Sequence, residues 1–158
     1  MQIRVGFGYD VHQLAKDEEL WLGGKLIPSE LGAIGHSDAD VLIHVICDAL
    51  LGAANLRDIG FHFPDTSTDY KGIDSKILLR DVVKLLEEKG YSIGNIDSTV
   101  ALEKPKVNPH IEDMRAILAK IMKVDEDAVS IKATTSEKIG FVGRQEGIAA
   151  YATVLIQK

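Results

Sequence analysis

The sequence predicts an α+β protein: one mostly β-sheet layer with its helices packed on one face. Polar and apolar residues alternate over 2–9, 96–102 and 129–134, the period-two pattern of strands, and 148–156 also reads as a strand. Apolar residues recur at helical spacing over 37–51, 75–89 and 109–122. The chain has 158 residues, 46% of them apolar, which suits one domain over 1–158 with a sizeable core.

The first strand, 2–9, runs into Asp10-Val11-His12. Leu20 to Pro28 reads as a hairpin with Gly23-Gly24 at the turn. The first helix is expected over 37–51. Ser37 with Asp40 three residues on has the form of a capping box, and Val41, Leu42, Val45, Ile46, Ala49 and Leu50 keep helical spacing. The stretch 55–70 is rich in Asp, Gly and Pro and reads as a loop, long enough to favour a functional one. The second helix covers 75–89, with Gly90 at its C-terminal cap position. A strand follows over 96–102. Asn108-Pro109 reads as the cap and first residue of a third helix ending near Met122. The strand 129–134, a polar stretch over 137–147 and a final strand over 148–156, edging the sheet, complete the chain. With every helix on one side, the other side of the sheet is left to self-association.

The net charge of −6 argues against general nucleic-acid binding, which needs a basic field. No apolar run reaches the roughly 20 residues of a membrane helix. The N-terminus enters a strand pattern at once, with no secretory or transit segment. The single cysteine, Cys47, falls in the apolar register of the first helix and reads as a buried, inert thiol suited to the cytoplasm. The acidic balance also has a chemical consequence. A phosphate-bearing substrate would need bound cations to invert the local field.

Two segments carry most of the chemistry. Asp10 and His12, two apart on a strand, point to the same face. Asp40, His44 and Asp48, spaced by four, form one stripe of a helix. An Asp with two His suits Zn²⁺ and leaves a fourth position open for substrate. Asp40 and Asp48 also suit a supporting role, orienting imidazole nitrogens. The plainer reading is a polar cluster capping the helix, with His44 hydrogen-bonded to a carboxylate.

Other motifs carry double readings. His36 and Ser37 precede a helix, where backbone N–H groups favour phosphate; capping alone also explains Ser37. Asp58-Ile59-Gly60 and His62-Phe63-Pro64-Asp65 suit sugar hydroxyls or plain turn chemistry. Lys104-Pro105-Lys106-Val107-Asn108-Pro109 reads as an anion-binding edge or a solvated loop. Thr134, Thr135 and Ser136 offer hydroxyls to phosphate and Glu137 offers an acid to a hard cation, though Ser136 and Glu137 also fit a helix cap. Arg144, between glycines, suits phosphate or a surface ion pair.

Taken in order, these motifs resemble the 2-C-methyl-D-erythritol 2,4-cyclodiphosphate synthase family of the non-mevalonate isoprenoid pathway. The resemblance rests on GYDVH at 8–12, LGG at 22–24, GHSDADVLIH at 35–44, DALLGAA at 48–54, DIG at 58–60 and HFPDT at 62–66. It continues through KATTSEK at 132–138, GF at 140–141 and GRQEGIAA at 143–150, and so spans essentially the whole chain. It implies Zn²⁺ held by Asp10, His12 and His44, and Mg²⁺ or Mn²⁺ held by Glu137. It implies His36 near the transferring phosphate and Thr135 donating to the diphosphate as the catalytic groups, with Ser37 touching substrate. Asp58, Ile59 and Gly60 would hold substrate hydroxyls, and Phe63, Pro64, Asp65, Thr66 and Ser67 would close over the methylerythritol part. Leu102, Lys104, Pro105, Lys106, Val107 and Asn108 would form a cytidine pocket, and Thr134, Ser136, Phe141 and Arg144 would complete the site. The family is a homotrimer with active sites between subunits and its sheets facing the trimer core. Arg57, Ser67, Ser136 and Asn108 depart from the family's usual pattern, which bears on the contacts in 57–67 and 102–108.

The implied reaction is that of a phosphorus–oxygen lyase. The 2-phosphate of 4-diphosphocytidyl-2-C-methyl-D-erythritol 2-phosphate attacks the β-phosphorus, a cyclic diphosphate closes and CMP leaves. One alternative is a metal-dependent nucleotide-diphosphate hydrolase, with water as the nucleophile. Another is a non-catalytic trimeric binding protein whose Zn²⁺ shell is closed by Asp40 or Asp48.

Overall fold

A computed structural model describes residues 1–158. The first strand, β1 (Ile3–Lys16), runs well past the expected 2–9, carrying Asp10-Val11-His12 inside it. The hairpin of β2 (Leu20–Leu22) and β3 (Lys25–Ile27) forms as expected. Gly23 and Gly24 take φ of 58° and 79°, the left-handed pair that a tight hairpin turn requires. Then follow β4 (Leu31–Ala33), α1 (Val41–Ala53), the single-turn α2 (Ile59–His62) and α3 (Ser75–Glu88). The chain closes with β5 (Ser92–Ala101), α4 (Ile111–Met122), β6 (Val129–Thr134), the short α5 (Gly140–Gly143) and β7 (Gly147–Gln157).

The main sheet has the order β4-β1-β7-β5-β6. All its pairs are antiparallel except β5–β6, whose parallel pairing is bridged by the α4 crossover. The final strand is therefore central and does not edge the sheet. Its composition explains why: Ile148, Ala149, Ala150, Ala152, Val154 and Ile156 are all buried, as befits a strand with neighbours on both sides.

Three element boundaries also differ from expectation. Helix α1 starts at Val41, and its cap is Asp40 rather than Ser37; the Asp40 carboxylate accepts from the Ile43 N–H at 3.0 Å. Ala39 has a φ of 60°, which breaks any helix begun at 37. Asn108-Pro109 opens a 3-10 turn over Asn108–His110 that runs into α4. Ser136 and Glu137 cap nothing, because α5 begins at Gly140 after Ile139 with no side-chain cap.

One cluster of 37 buried residues forms the core. Helix α1 is buried almost all round, lying between β1 and β7 on one side and α3 on the other. On β1, Gly6 and Gly8 share the α1 face with Asp10 and His12. A Cβ at Gly6 would lie 1.9 Å from the Ala49 carbonyl oxygen, and one at Gly8 would lie 2.3 Å from that of Val45. Strand and helix therefore meet backbone to backbone.

The opposite face of the sheet carries no helix. Ile3, Val5, Phe7, Tyr9 and Val11 stand exposed along β1, Val5 and Phe7 at 65% each. The Tyr9 and Tyr151 rings pair across the strands with centroids 5.2 Å apart. Towards β5 and β6 this face turns polar, with Lys132 on Asp97 at 2.6 Å. No helix is long and apolar enough to cross a membrane.

Candidate metal centre and adjoining cavities

The strand period brings Asp10 and His12 to the α1 face, and His44 meets them from the first turn of α1. Asp10 Oδ2 lies 2.9 Å from His12 Nε2 and 3.5 Å from His44 Nδ1, and the two imidazole nitrogens lie 3.3 Å apart. A tetrahedral shell with metal–ligand distances of about 2.0–2.2 Å has edges of about 3.3–3.6 Å, so the three donors fit a small dication such as Zn²⁺. The side chains are 30%, 11% and 13% exposed for Asp10, His12 and His44 respectively. Burial pushes the Asp10 carboxyl up, but hydrogen bonds from His12 and His44 outweigh it and hold the group well below the usual carboxylate range. Asp10 is thus an anionic donor at neutral pH.

Neither of the other two acids on the α1 stripe joins them. Asp40 is fully buried and accepts from Gly23, Gly24 and Ile43 N–H groups at 3.0, 2.7 and 3.0 Å, pinning the β2–β3 turn to the helix start. Burial pushes its carboxyl up, against the pull of the Ile43 and Gly24 donors. Asp48 accepts from the Ile59 N–H at 2.8 Å and so anchors α2. Burial raises its carboxyl as well. One stripe thus does three jobs: a cap at Asp40, a candidate metal donor at His44 and a loop anchor at Asp48. The donor set stops at three, and no fourth carboxylate, thiol or imidazole closes it.

The donors face a cavity of about 250 Å³ that His36, Ser37, Ile59, Gly60, Phe63 and Asp65 also line. Gly35, Tyr70, Ile73 and Leu78, not singled out from sequence, complete the lining, and no Lys or Arg takes part. His36 Nε2 donates to the Ser67 carbonyl at 3.0 Å, tying the loop to this wall. Asp58 caps α2 through the Phe61 N–H at 2.9 Å rather than lining the cavity. Pro64, Thr66 and Ser67 belong to the same loop outside the lining. Arg57 has a φ of 70°, a conformation that favours glycine, and its guanidinium lies 4.2 Å over Phe61.

Leu102, Pro105, Lys106, Val107, Asn108, Thr134 and Thr135 gather round a second cavity of about 190 Å³. It shares no lining residue with the first. Lys104 borders a different surface hollow beside Gln145. Glu137 stands exposed at a φ of 55°, its N–H on Thr135 Oγ1 at 3.3 Å, away from any group of three metal donors. The Ser136 hydroxyl donates to the Ile139 carbonyl at 2.6 Å. Phe141 is partly exposed, and Arg144 pairs with Glu146 at 3.1 Å, the surface ion pair that the sequence allowed. The sequence reading missed Ser75. This fully buried residue sets its hydroxyl 2.9 Å from His44 Nε2, and only the fold, not its surroundings in sequence, marks it out.

The YgbB family model matches residues 3–157. The chain belongs to the YgbB family. A relative from Parabacteroides distasonis, named 2-C-methyl-D-erythritol 2,4-cyclodiphosphate synthase, is 71% identical over 158 residues, covering 100% of this chain and 98% of that protein. Among solved structures, a 2C-methyl-D-erythritol-2,4-cyclodiphosphate synthase in a CDP-bound form superposes with a TM-score of 0.90 at 36% identity, covering 98% of this chain and 100% of that one. The bifunctional IspDF of Campylobacter jejuni superposes with a TM-score of 0.94 at 39% identity; the match covers 98% of this chain and 42% of that protein. The YgbB match thus takes in the whole sheet and both cavities.

Proposed function

We propose that the protein converts 4-diphosphocytidyl-2-C-methyl-D-erythritol 2-phosphate into 2-C-methyl-D-erythritol 2,4-cyclodiphosphate and CMP. The observation that carries this reading is the three-donor centre of Asp10, His12 and His44, open to a cavity without a single cationic side chain. It stands in a chain 71% identical, end to end, to a protein named for that reaction.

The reaction is an intramolecular phosphoryl transfer. The 2-phosphate attacks the β-phosphorus, the P–O bond to CMP breaks, and the electron pair leaves with CMP. Asp10, His12 and His44 would hold Zn²⁺ and Glu137 would hold Mg²⁺ or Mn²⁺, and these cations would supply the positive charge that the cavity wall lacks. Glu137 would offer such a cation one exposed carboxylate. His36 and Ser37 face the transferring phosphate from one wall, and Thr135 donates to the diphosphate. Asp58, Ile59 and Gly60 receive the hydroxyls, the loop over 63–67 shields the methylerythritol part, and the 102–108 pocket takes the cytidine. Phe141, Arg144, Thr134 and Ser136 border the diphosphate. Holding both ends of one flexible molecule makes ring closure probable, an effect worth roughly 7–11 kcal/mol in well-oriented systems.

The two cavities of one chain share no residue, and β1 leaves a wide apolar face uncovered. Both facts support a homotrimer in which the first cavity of one subunit meets the second cavity of its neighbour. Phosphorus-31 NMR of the protein with substrate and Mg²⁺ tests the reading: cyclic diphosphate and CMP should appear in equal amounts and vanish with a chelator. A linear phosphate beside CMP would indicate a hydrolase and overturn it.

A further inference from the structure

We infer that Ser75, backed by Asp38, is a positioning residue that sets His44 for metal binding. This rests on the reading of Asp10, His12 and His44 as the metal ligands. An imidazole that binds through one nitrogen needs its other N–H engaged, so that its tautomer and tilt are fixed before the ion arrives. Asp40 and Asp48, the obvious sequence candidates, are committed to backbone N–H groups elsewhere.

Ser75 fills the role. Its hydroxyl oxygen lies 2.9 Å from His44 Nε2. Its own proton goes to Asp38 Oδ1, while its backbone N–H donates to Asp38 Oδ2 at 3.0 Å. An ionised carboxylate only accepts, so the Ser75 proton is spent on Asp38 and its oxygen offers His44 lone pairs alone. His44 Nε2 must then carry a hydrogen, and in the neutral imidazole that binds a metal this leaves the Nδ1 lone pair for the ion, on the side of Asp10 and His12. The negative charge on Asp38 polarises the hydroxyl and strengthens His44 as a donor. Ser37 Oγ also lies 3.0 Å from Nε2, but no carboxylate fixes its proton, and it accepts the Ala39 N–H at 3.2 Å. The arrangement reaches the substrate loop too. Gly72 N–H to the His36 carbonyl and Asp38 N–H to the Ile73 carbonyl, at 2.7 and 3.0 Å, fasten the end of that loop beside Ser75.

Zinc affinity of the full chain, measured by competition with a chromophoric chelator, tests this without any turnover assay. Ser75→Ala should weaken zinc binding by roughly 10–100-fold. Asp38→Asn should weaken it less, and the double variant should be no worse than Ser75→Ala, because the two act as one unit. The zinc-free Ser75→Ala protein should melt within a few degrees of the parent, since Asp74 caps α3 and alanine favours a helix. A merely structural serine would do the reverse, lowering the melting point and sparing zinc. Parental zinc affinity in Ser75→Ala, or a larger loss in Ser37→Ala, overturns the inference. Should Ser75→Ala not fold, Asp38→Asn decides, and unchanged affinity there overturns it equally. A parent chain that binds no zinc removes the metal reading itself.

Discussion

The metal centre and the cavity at 102–108 are built in opposite ways. The first takes its donors from a strand and a helix in direct contact; the three bond to one another, and Ser75 holds His44 from outside. The second is a shallow loop surface: Leu102 and Val107 are buried, whereas Lys106, Asn108, Thr134 and Thr135 are exposed. Charged chemistry needs the precision of the first. A loop surface of the second kind suits looser contacts. The difference teaches that one chain can hold three potential metal donors rigidly and still leave a neighbouring loop surface open.

Variants can press on that contrast. His44→Ala should cost roughly three orders of magnitude or more in CMP release, since it removes charge stabilisation at the reacting phosphates. Circular dichroism should stay near that of the parent, and bound zinc measured by atomic absorption should be lost. A folded His44→Ala chain that keeps both its zinc and its rate would erase the distinction between the two regions. Asp40→Asn acts on the scaffold instead. An amide cannot accept from Gly23, Gly24 and Ile43 together, so denaturant unfolding should show a loss of about 2–4 kcal/mol, with zinc stoichiometry kept in the folded fraction.

Dilution probes the second cavity. Below the dissociation constant of the assembly, specific activity should fall while zinc per chain, followed on the same samples, stays constant. Activity that ignores dilution to a demonstrated monomer would place a whole site in one chain. Lys106→Ala should raise the KM for the cytidine substrate by less than about tenfold, equivalent to 1.4 kcal/mol, and leave kcat unchanged. The smallest effect belongs to the open sheet face. A hydrogen bond from Lys132 holds the Asp97 carboxyl below its ordinary range. That pair adds stability above the unfolded carboxylate pKa of about 3.9, and the benefit is lost as pH falls through the lower folded value. Both side chains are about half exposed, so the melting-point gap between parent and Asp97→Asn should be slight at pH 7, shrink with salt, and close in acid.

Much of this was legible in the sequence, for reasons that differ from element to element. Spacing put Asp10 with His12 on one strand face and His44 on a helix stripe, because strand and helix periods decide which side chains share a face; the family resemblance singled out these three. The same spacing overreached at Asp40 and Asp48. Eight residues of helix cover about 12 Å, too far for one ion to gather all three positions. Ser37 and Asp40 both fit a capping pattern, and the left-handed Ala39 that decides between them leaves no mark in composition. The central place of β7 depends on pairing with β1 and β5, at opposite ends of the chain, so position in sequence misled. Ser75 is 31 residues from the imidazole that it holds, and no local pattern announces such a contact.

The bare glycines at 6 and 8 have a consequence for how this protein can vary. Nothing compressible lies between β1 and α1, so the gap across which Asp10 and His12 face His44 is a property of the main chain, like the throat of a fixed-jaw wrench. Core side chains around it can be exchanged, and overall stability can drift, without altering the bite. A single methyl at either glycine would instead prise the jaws apart and disturb the spacing of Asp10, His12 and His44 without touching any of those side chains.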